Sequence, residues 1–463
     1  PVLLATQNWD DHDRSNRYTA QSMAKMYLDS CDKNAILFTI GDNDTFALWY
    51  AQNIEGYRQD VRVVNTSLFQ TDWYIDDMKK KAFTSDPIPS QLTHDKYRWG
   101  TRDYLFYQQT NKDTIDIKTW MNFVASDSPA TQVELQNGQM VNTFPSKVIR
   151  IPVDKETVLE NGIVDPKDAD KIVPYIDINL KGDVIYKNRM MMLDIIANNN
   201  WERPIYFSGG SFGDDDYLWM KDYLQLDGVV YKLVPIKTPL NKRSPFDMGR
   251  IDTEKMYNIV MDWDWGNSGS PDIYHDTETR RNGITYRSNL ARLAEALINE
   301  GKNDKAEKIL DLAMEKMPIK YFEYYSLLEP FVIGYYELDK PEKARKVYEE
   351  VSKKYQENLE YYNSLKFNKQ RALAQDIISD MERYRSLVQL VVVYDEEQYG
   401  RAEAKEFNDY LKRFRHFYSP DEAMDLDKDI ERDSTIEIPV DSSLIDQMEL
   451  EPTKQVDENV PVN

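Results

Sequence analysis

The sequence has one cysteine, four histidines, a deficit of basic residues and no long apolar run, and each shortage excludes something. Cys31 alone cannot form an intramolecular disulfide, so packing must hold the fold. His12, His94, His275 and His416 stand apart from one another, and none has a partner at zinc-ligand spacing, which argues against a transition-metal site. The longest apolar stretch, Leu387 to Tyr394 interrupted by Gln389, falls far below the roughly 18 to 20 residues needed to span a bilayer, so the chain reads as soluble. Lys and Arg number 58 against 80 Asp and Glu, giving a net charge of -22. Such a field repels a phosphate backbone, which excludes nucleic acid as a partner. Walker, dinucleotide and Gly-x-Ser-x-Gly fingerprints are missing as well. The chain has neither an initiator Met nor a signal peptide and opens on Pro1-Val2-Leu3-Leu4-Ala5, which reads as a piece of a longer protein.

What is present suits several packed units. At roughly 100 to 200 residues per domain, the length implies about two to four of them. The acid is uneven: residues 421–463 hold 14 Asp and Glu against three basic side chains, or -11, half of the total. With no aromatic residue, that segment has too little apolar surface to offset chain entropy. It is expected as a disordered tail, the functional alternative being an acidic docking tail.

Residues 1–83 read as three βα units. Val2–Thr6 is expected as the first strand and Ala35–Ile40 as the second, an apolar run of the kind buried on both faces of a parallel sheet. Val61–Leu68 is the third strand, followed by Thr71-Asp72 capping a helix from Trp73 to about Ala82. The alternation resumes at 188–240, with a helix over Met190–Ala197, a strand over Pro204–Ser208, a helix over Asp215–Leu224 and a strand over Val229–Val234. Helices between strands imply crossovers and a Rossmann-like, mostly parallel sheet. Residues 84–187 interrupt this core as a β-rich insertion, in which Tyr175–Leu180, Lys181-Gly182 and Asp183–Tyr186 read as a hairpin.

Residues 241–288 read as a linker, and 289–420 as tetratricopeptide-like helical repeats. Leu290, Leu293, Ala294 and Leu297 mark one helix, and Ala306, Leu310 and Ala313 its partner, with Gly301 at the turn. Leu328, Phe331, Val332 and Tyr335, then Ala344, Tyr348 and Val351, repeat the pattern 38 residues on. Leu365–Val393 and Arg401–Phe417 form a third or capping pair. The fold class is thus α/β plus all-α.

Parallel sheets bind ligands beyond the carboxyl ends of their strands. Trp9, Asp10, Asp11, His12, Asp13 and Arg14 follow the first expected strand, Asp42, Asn43 and Asp44 the second, and Asn65 ends the third, with Asp72 just beyond. Carboxylates gathered at one rim raise one another's pKa unless a cation neutralises them, so Asp42-x-Asp44 suits Mg²⁺, Mn²⁺ or Ca²⁺. The other reading is structural: both aspartates cap the next helix, and the Trp9–Arg14 cluster anchors its own loop. Gly209-Gly210-Ser211 opens a turn where three Asp would repel phosphate, leaving a sugar hydroxyl or a capped turn. Trp263 and Trp265, beside Asp262 and Asp264, suit either carbohydrate C–H faces or a core.

Asn8-Trp9-Asp10-Asp11-His12-Asp13-Arg14-Ser15, Gly41-Asp42-Asn43-Asp44-Thr45-Phe46, Thr71-Asp72-Trp73-Tyr74 and Trp201-Glu202-Arg203-Pro204-Ile205-Tyr206-Phe207 resemble strings of a bacterial family of large multi-pass membrane proteins of unknown function. That family is related to a eukaryotic transmembrane protein O-mannosyltransferase, and the likeness spans residues 1 to about 318. The resemblance implies that this chain is the C-terminal region on the periplasmic side, its partners being its own N-terminal transmembrane region and an acceptor protein or glycan. The family's acidic catalytic residue lies in the membrane half, so none carries over. The resulting expectation is an accessory recognition region, with a metal-dependent sugar or phosphate-ester enzyme, or a peptide-binding repeat scaffold, as alternatives.

Overall fold

Val2-Leu3-Leu4, expected as the first strand, finds no neighbouring strand to complete its backbone hydrogen bonds. In the computed structural model, which describes residues 2–110, 114–211, 213–240 and 248–418, it is a helix instead, α1 (Val2–Gln7), with no buried side chain. Without a ladder partner, the helical preference of Leu, Ala and Gln prevails. A short helix, α2 (Trp9–His12), follows, and then α3 (Thr19–Asp29), which buries Ala24, Met26 and Leu28. The acidic segment 421–463 lies outside the described residues.

Ile36-Leu37-Phe38-Thr39 has no polar face to give to water and forms β1 (Ile36–Thr39), buried at every position. Gly41 leads into α4 (Asp42–Asn53), and the chain returns through Gly56, at φ 66°, into β2 (Arg62–Asn65), parallel to β1 with Ile36 opposite Arg62. Then comes α5 (Asp72–Met78), ending four residues before the expected Ala82. After the insertion, α6 (Lys187–Asn199) leads to β3 (Ile205–Phe207), which pairs with the other side of β1, Ile36 opposite Ile205. The chain therefore leaves β1 in both directions, and the crevice beyond β1 and β3 is the switch point of the sheet. The sheet is completed by β4 (Leu224–Asp227), β5 (Val230–Leu233) and β6 (Arg250–Ile251), in the order β6-β4-β5-β3-β1-β2. Three of its five pairings are parallel, so it is mostly parallel, as expected.

Three expectations are corrected. Asp215–Leu224 is not a helix but two 3-10 turns, because Leu218 and Trp219 sit at φ 49° and 57°, and Leu224 already belongs to β4. Tyr175–Asn179 and Val184–Tyr186 are strands but not a hairpin. The former pairs with Val148–Pro152, where Arg150 and Asp177 form a two-pronged ion pair at 2.7 and 2.8 Å, and the latter pairs with Tyr104–Tyr107. They sit in two small sheets of the insertion, around the helix Ile117–Ala125 with its fully buried Trp120. Third, within 248–288 the chain contributes β6, α7 (Thr253–Asp262) and the start of α8 (Thr277–Asn299) rather than a bare linker.

The all-α region stacks α8 on α9 (Asn303–Lys316), α10 (Glu329–Glu337) on α11 (Pro341–Ser364), and α12 (Ala374–Tyr394) on α13 (Glu397–Phe414). Leu290, Leu293, Ala294, Leu297, Ala306, Leu310 and Ala313 are all buried, as their spacing requires. At Gly334 a Cβ would come within 3.1 Å of Leu310 Cδ1, so α10 packs closely on α9 there and a side chain would require the Leu310 methyl to give by a few tenths of an ångström. The fold class, α/β followed by all-α, is the expected one. Among the described residues no helix is long and apolar enough to cross a membrane.

Asp194, on α6, shows how the insertion is fastened. Its carboxylate accepts from Ser90 Oγ at 2.5 Å, Gln91 N at 3.4 Å and Asn198 Nδ2 at 2.9 Å. Burial pushes its pKa up to about 6, more than those hydrogen bonds pull it down. The folded chain then keeps a proton that the unfolded chain loses near pH 4, so this group's stabilisation is complete below pH 4 and is lost as pH rises to about 6. Urea denaturation from pH 4 to 7 should show Asp194→Asn lacking a decline on the order of 2 to 3 kcal/mol that the wild type shows. Parallel pH profiles would refute this.

Candidate functional site

The turn between β1 and α4 is built from hydrogen bonds that begin in its own sequence. Asp44 accepts from Ile40 N and Gly41 N, both at 3.2 Å, and from Ser208 Oγ at 2.7 Å. Ser208 follows β3, so this carboxylate closes the crevice at the switch point. Asn65, buried at the end of β2, donates to Gly41 O at 3.0 Å and Thr45 Oγ1 at 2.8 Å and accepts from Leu68 N at 2.9 Å. Thr45 Oγ1 in turn meets Thr39 Oγ1 at 2.7 Å. Asp42 is exposed in the first turn of α4, where the helix dipole favours a carboxylate.

Above this turn lies an open cleft of about 690 Å³ between the starts of α3, α4 and α8. Arg14, Asn43 and Asp44 line it, together with Arg17, Asp276, Thr279 and Asn282. Arg17 reaches Asp276 Oδ2 at 2.5 Å, and Asp276 caps α8 by accepting from Thr279 N at 2.8 Å. Burial would raise the Asp276 carboxyl, but the Thr279 amide and the Arg17 guanidinium outweigh it and bring it down to about 2. The wall of one region is thereby pinned to the wall of the other.

Of the eleven residues expected at the rim, Arg14, Asn43 and Asp44 meet in the cleft and Asn65 supports them from below. Trp9, His12, Asp13, Asp42 and Asp72 do not line it. The Trp9–Arg14 segment follows a helix rather than a strand, so it is not delivered to the sheet edge as a loop. Trp9 is 74% exposed, and His12 Nδ1 contacts Asn8 O at 2.9 Å. Asp13 accepts from the hydroxyl and amide of Ser15, which hold its carboxyl below the usual range. Asp10 and Asp11 belong to α2, and their side chains lie outside what is described. Asp72 accepts from Trp99 N at 3.2 Å and Trp73 N at 2.8 Å, which lower its pKa, and it does not line the cleft.

The Asp42-Asp44 pair does not fit a dedicated cation cage. A hard divalent ion takes six or more oxygen ligands, whereas Asp44 already serves three donors. Among the described residues no group of three or more His, Cys, Asp and Glu is placed to hold a metal. After β3, Gly209 and Gly210 both stand at φ 79°, and the aspartates beyond them are paired: Asp214 with Lys181 and Lys221, Asp215 and Asp216 with Arg189. Trp263 and Trp265 are buried against Tyr286, with ring centroids 5.7 and 5.6 Å away. Arg17, Asp276, Thr279 and Asn282 escaped the sequence reading. Asp276-x-x-Thr279 is a legible helix start, but nothing local signals that Arg17 pairs with a residue 259 positions away.

Removing Asp44 should cost more than removing Asp42. Asp44→Ala strands two backbone N–H groups and the Ser208 hydroxyl, a loss of about 1 to 3 kcal/mol, while exposed Asp42→Ala should stay within about 0.5 kcal/mol. Equal urea midpoints for the two variants would count against the network.

No curated protein and no solved structure matches the chain. The family model TMEM260-associated domain 2 matches residues 20–255, which run from α3 through the sheet into α7, and fits a relation to TMEM260, a protein O-mannosyltransferase. That match covers just over half of the sequence, and the chain belongs to the TMEM260-associated domain 2 family.

Proposed function

We propose that this chain is an accessory region of a membrane glycosyltransferase-like protein, recognising acceptor protein or glycan in the cleft between α3, α4 and α8 and not catalysing transfer alone. The observation that carries the reading is the state of the cleft's ionisable groups. A general acid or base needs a pKa near the working pH and a free face toward substrate. Here Asp276 is held down to about 2 by Thr279 and Arg17, and Asp44 is engaged by its own loop and by Ser208. Such groups shape and orient a wall.

Family membership supplies the setting. Residues of α3 and α4 within the match, with Arg14, Arg17 and Thr19 just before it, build one wall, and α8, the first helix of the all-α region, supplies the other. Clefts between two packed regions are common ligand sites. In this reading the chain stands on the extracytoplasmic side, tethered through an N-terminal transmembrane region that carries the chemistry.

The test is retention of glycopeptides and unmodified Ser/Thr-rich peptides by the isolated chain. Asn43→Trp and Asn282→Trp, both at exposed positions of the cleft wall, should weaken retention about tenfold without lowering the thermal midpoint. Sugar transfer by the chain alone, or undiminished retention by both variants, would overturn the reading.

A further inference from the structure

The carboxyl edge of the large sheet is one surface, joined across its parts by hydrogen bonds. Ser67 Oγ donates to Ile40 O at 2.7 Å, tying the end of β2 to the end of β1. Asn188 Nδ2 donates to Thr66 O at 3.2 Å, which brings the start of α6 to the same edge. Trp99 N donates to Asp72 at the start of α5, so the 98–103 loop of the insertion joins it too. Arg14 shares the cleft with Asn43 and Asp44, which places the connection from α2 to α3 beside the start of α4.

Aromatic rings project from this edge. Trp9, Tyr18, Phe46, Trp73, Trp99 and Tyr186 are each at least half exposed. Among the described residues Trp9, Trp73 and Trp99 are the exposed tryptophans, and all three stand here. At the opposite edge, the turns that follow α4 and α5 expose Ile54 and Phe83, while Trp201, which follows α6, is buried. Large apolar groups gathered on one side of a molecule mark an interaction surface.

The exposure of Trp99 is built in. Its side chain is 82% exposed, yet its loop is held from behind. Gly100 N donates to Asp103 at 2.9 Å, Thr101 Oγ1 to Arg98 O at 2.7 Å, and Arg102 to Val124 O at 2.7 Å and Asp127 at 2.8 Å. Asp103 also takes the ammonium of Lys187, a fully buried lysine, at 2.5 Å. A loop fixed this firmly holds its indole out rather than folding it back, as a preorganised contact requires.

The pattern indicates the partner. No two of the six rings touch among the described residues, so they form a row of single projections rather than the clustered centre of a tight protein interface. Tryptophan and tyrosine, each an apolar body with a polar tip, concentrate where acyl chains meet headgroups. Aliphatic groups join them from α1, where Val2, Leu3 and Leu4 are exposed and the helix buries nothing. The family to which the chain belongs is itself linked to a membrane protein. Anionic headgroups hold proteins through clustered Lys and Arg, and a chain with net charge -22 gains nothing from them, so the fitting surface is neutral.

We propose that the carboxyl edge of the sheet rests on a zwitterionic lipid bilayer, with Trp73, Trp99 and the neighbouring rings at the level of the headgroups. This goes beyond the recognition reading and stands whether or not the cleft binds an acceptor: it orients the chain, turning the edge at which the cleft lies toward the lipid.

The test mixes the full chain with phosphatidylcholine vesicles, plain or with brominated acyl chains, and reads flotation and tryptophan emission. The wild type should float with the vesicles and lose emission to the brominated lipid. Trp73→Ser combined with Trp99→Ser should weaken partition about tenfold, whereas Ile54→Ser combined with Phe83→Ser, at the opposite edge, should leave it unchanged. All four side chains are exposed, so both double variants should keep the thermal midpoint. Absence of flotation and quenching, binding that requires anionic lipid, or equal weakening by the two double variants would each overturn the inference. So would retention of a protein from membrane extract through Trp73 and Trp99 without vesicle binding, which would assign the edge to a protein contact.

Discussion

Lys232 is 1% exposed on β5, and a lysine so placed must find opposite charge or lose its proton. Its ammonium lies 2.5 Å from Asp32, which also takes Lys255 Nζ at 2.9 Å. Lys255 reaches on to Asp227 at 2.7 Å, and the Tyr206 hydroxyl bridges Asp32 at 2.8 Å and Asp227 at 3.1 Å. Burial works against every charge in this group. For Asp32 the two ammoniums outweigh it and hold the carboxyl well below its usual range, whereas for Lys232 burial and the neighbouring Lys255 win and lower the pKa. Breaking such a pair from one side leaves an uncompensated buried charge, typically a loss of about 3 to 5 kcal/mol. The group is therefore all or nothing, and it clamps β3, β4, β5, the end of α3 and α7 into one arrangement.

That arrangement decides where the cleft is. With α7 held by Lys255, the chain runs directly into Trp263 and Trp265, which pack on each other and on Tyr286 of α8. The β4–β5 turn meets the same aromatic group. At Gly228, φ is 62° and a Cβ would lie 2.6 Å from Trp263, while its carbonyl accepts from Asn289 of α8 at 3.0 Å. The first helix of the all-α region is thus registered on the sheet by a turn with no space for a side chain, and its capped start becomes the cleft's second wall. Arg17–Asp276 closes the arrangement from the other end.

The parts legible in the sequence were those whose causes are local. Apolar periodicity located α8 to α11 and their buried faces, and the unbroken apolar run located β1. Gly41 to Asp44 announced its turn, in which Asp44 caps the start of α4. Val2–Thr6 misled because an apolar run is equally good helix or strand, and only the absence of a neighbouring edge decides. Asp215–Leu224 misled because left-handed Leu218 and Trp219 carry no sequence signal. Tyr175 to Tyr186 alternates like a hairpin, yet each half pairs with a strand far away. The cleft itself was half visible: Arg14, Asn43 and Asp44 were named, but their opposite wall depends on long-range packing through Trp263, Trp265 and Tyr286.

Charge gives the last step. A chain with net charge -22 looks like one built to bind cations or to repel acids. At physiological ionic strength, however, exposed charges farther away than about 8 Å are largely screened. What a ligand in the cleft meets is the local set, three arginines and three carboxylates largely tied to one another or to backbone amides. Such a surface attracts neither sign strongly, and its selectivity has to come from shape and hydrogen-bond geometry rather than from net charge.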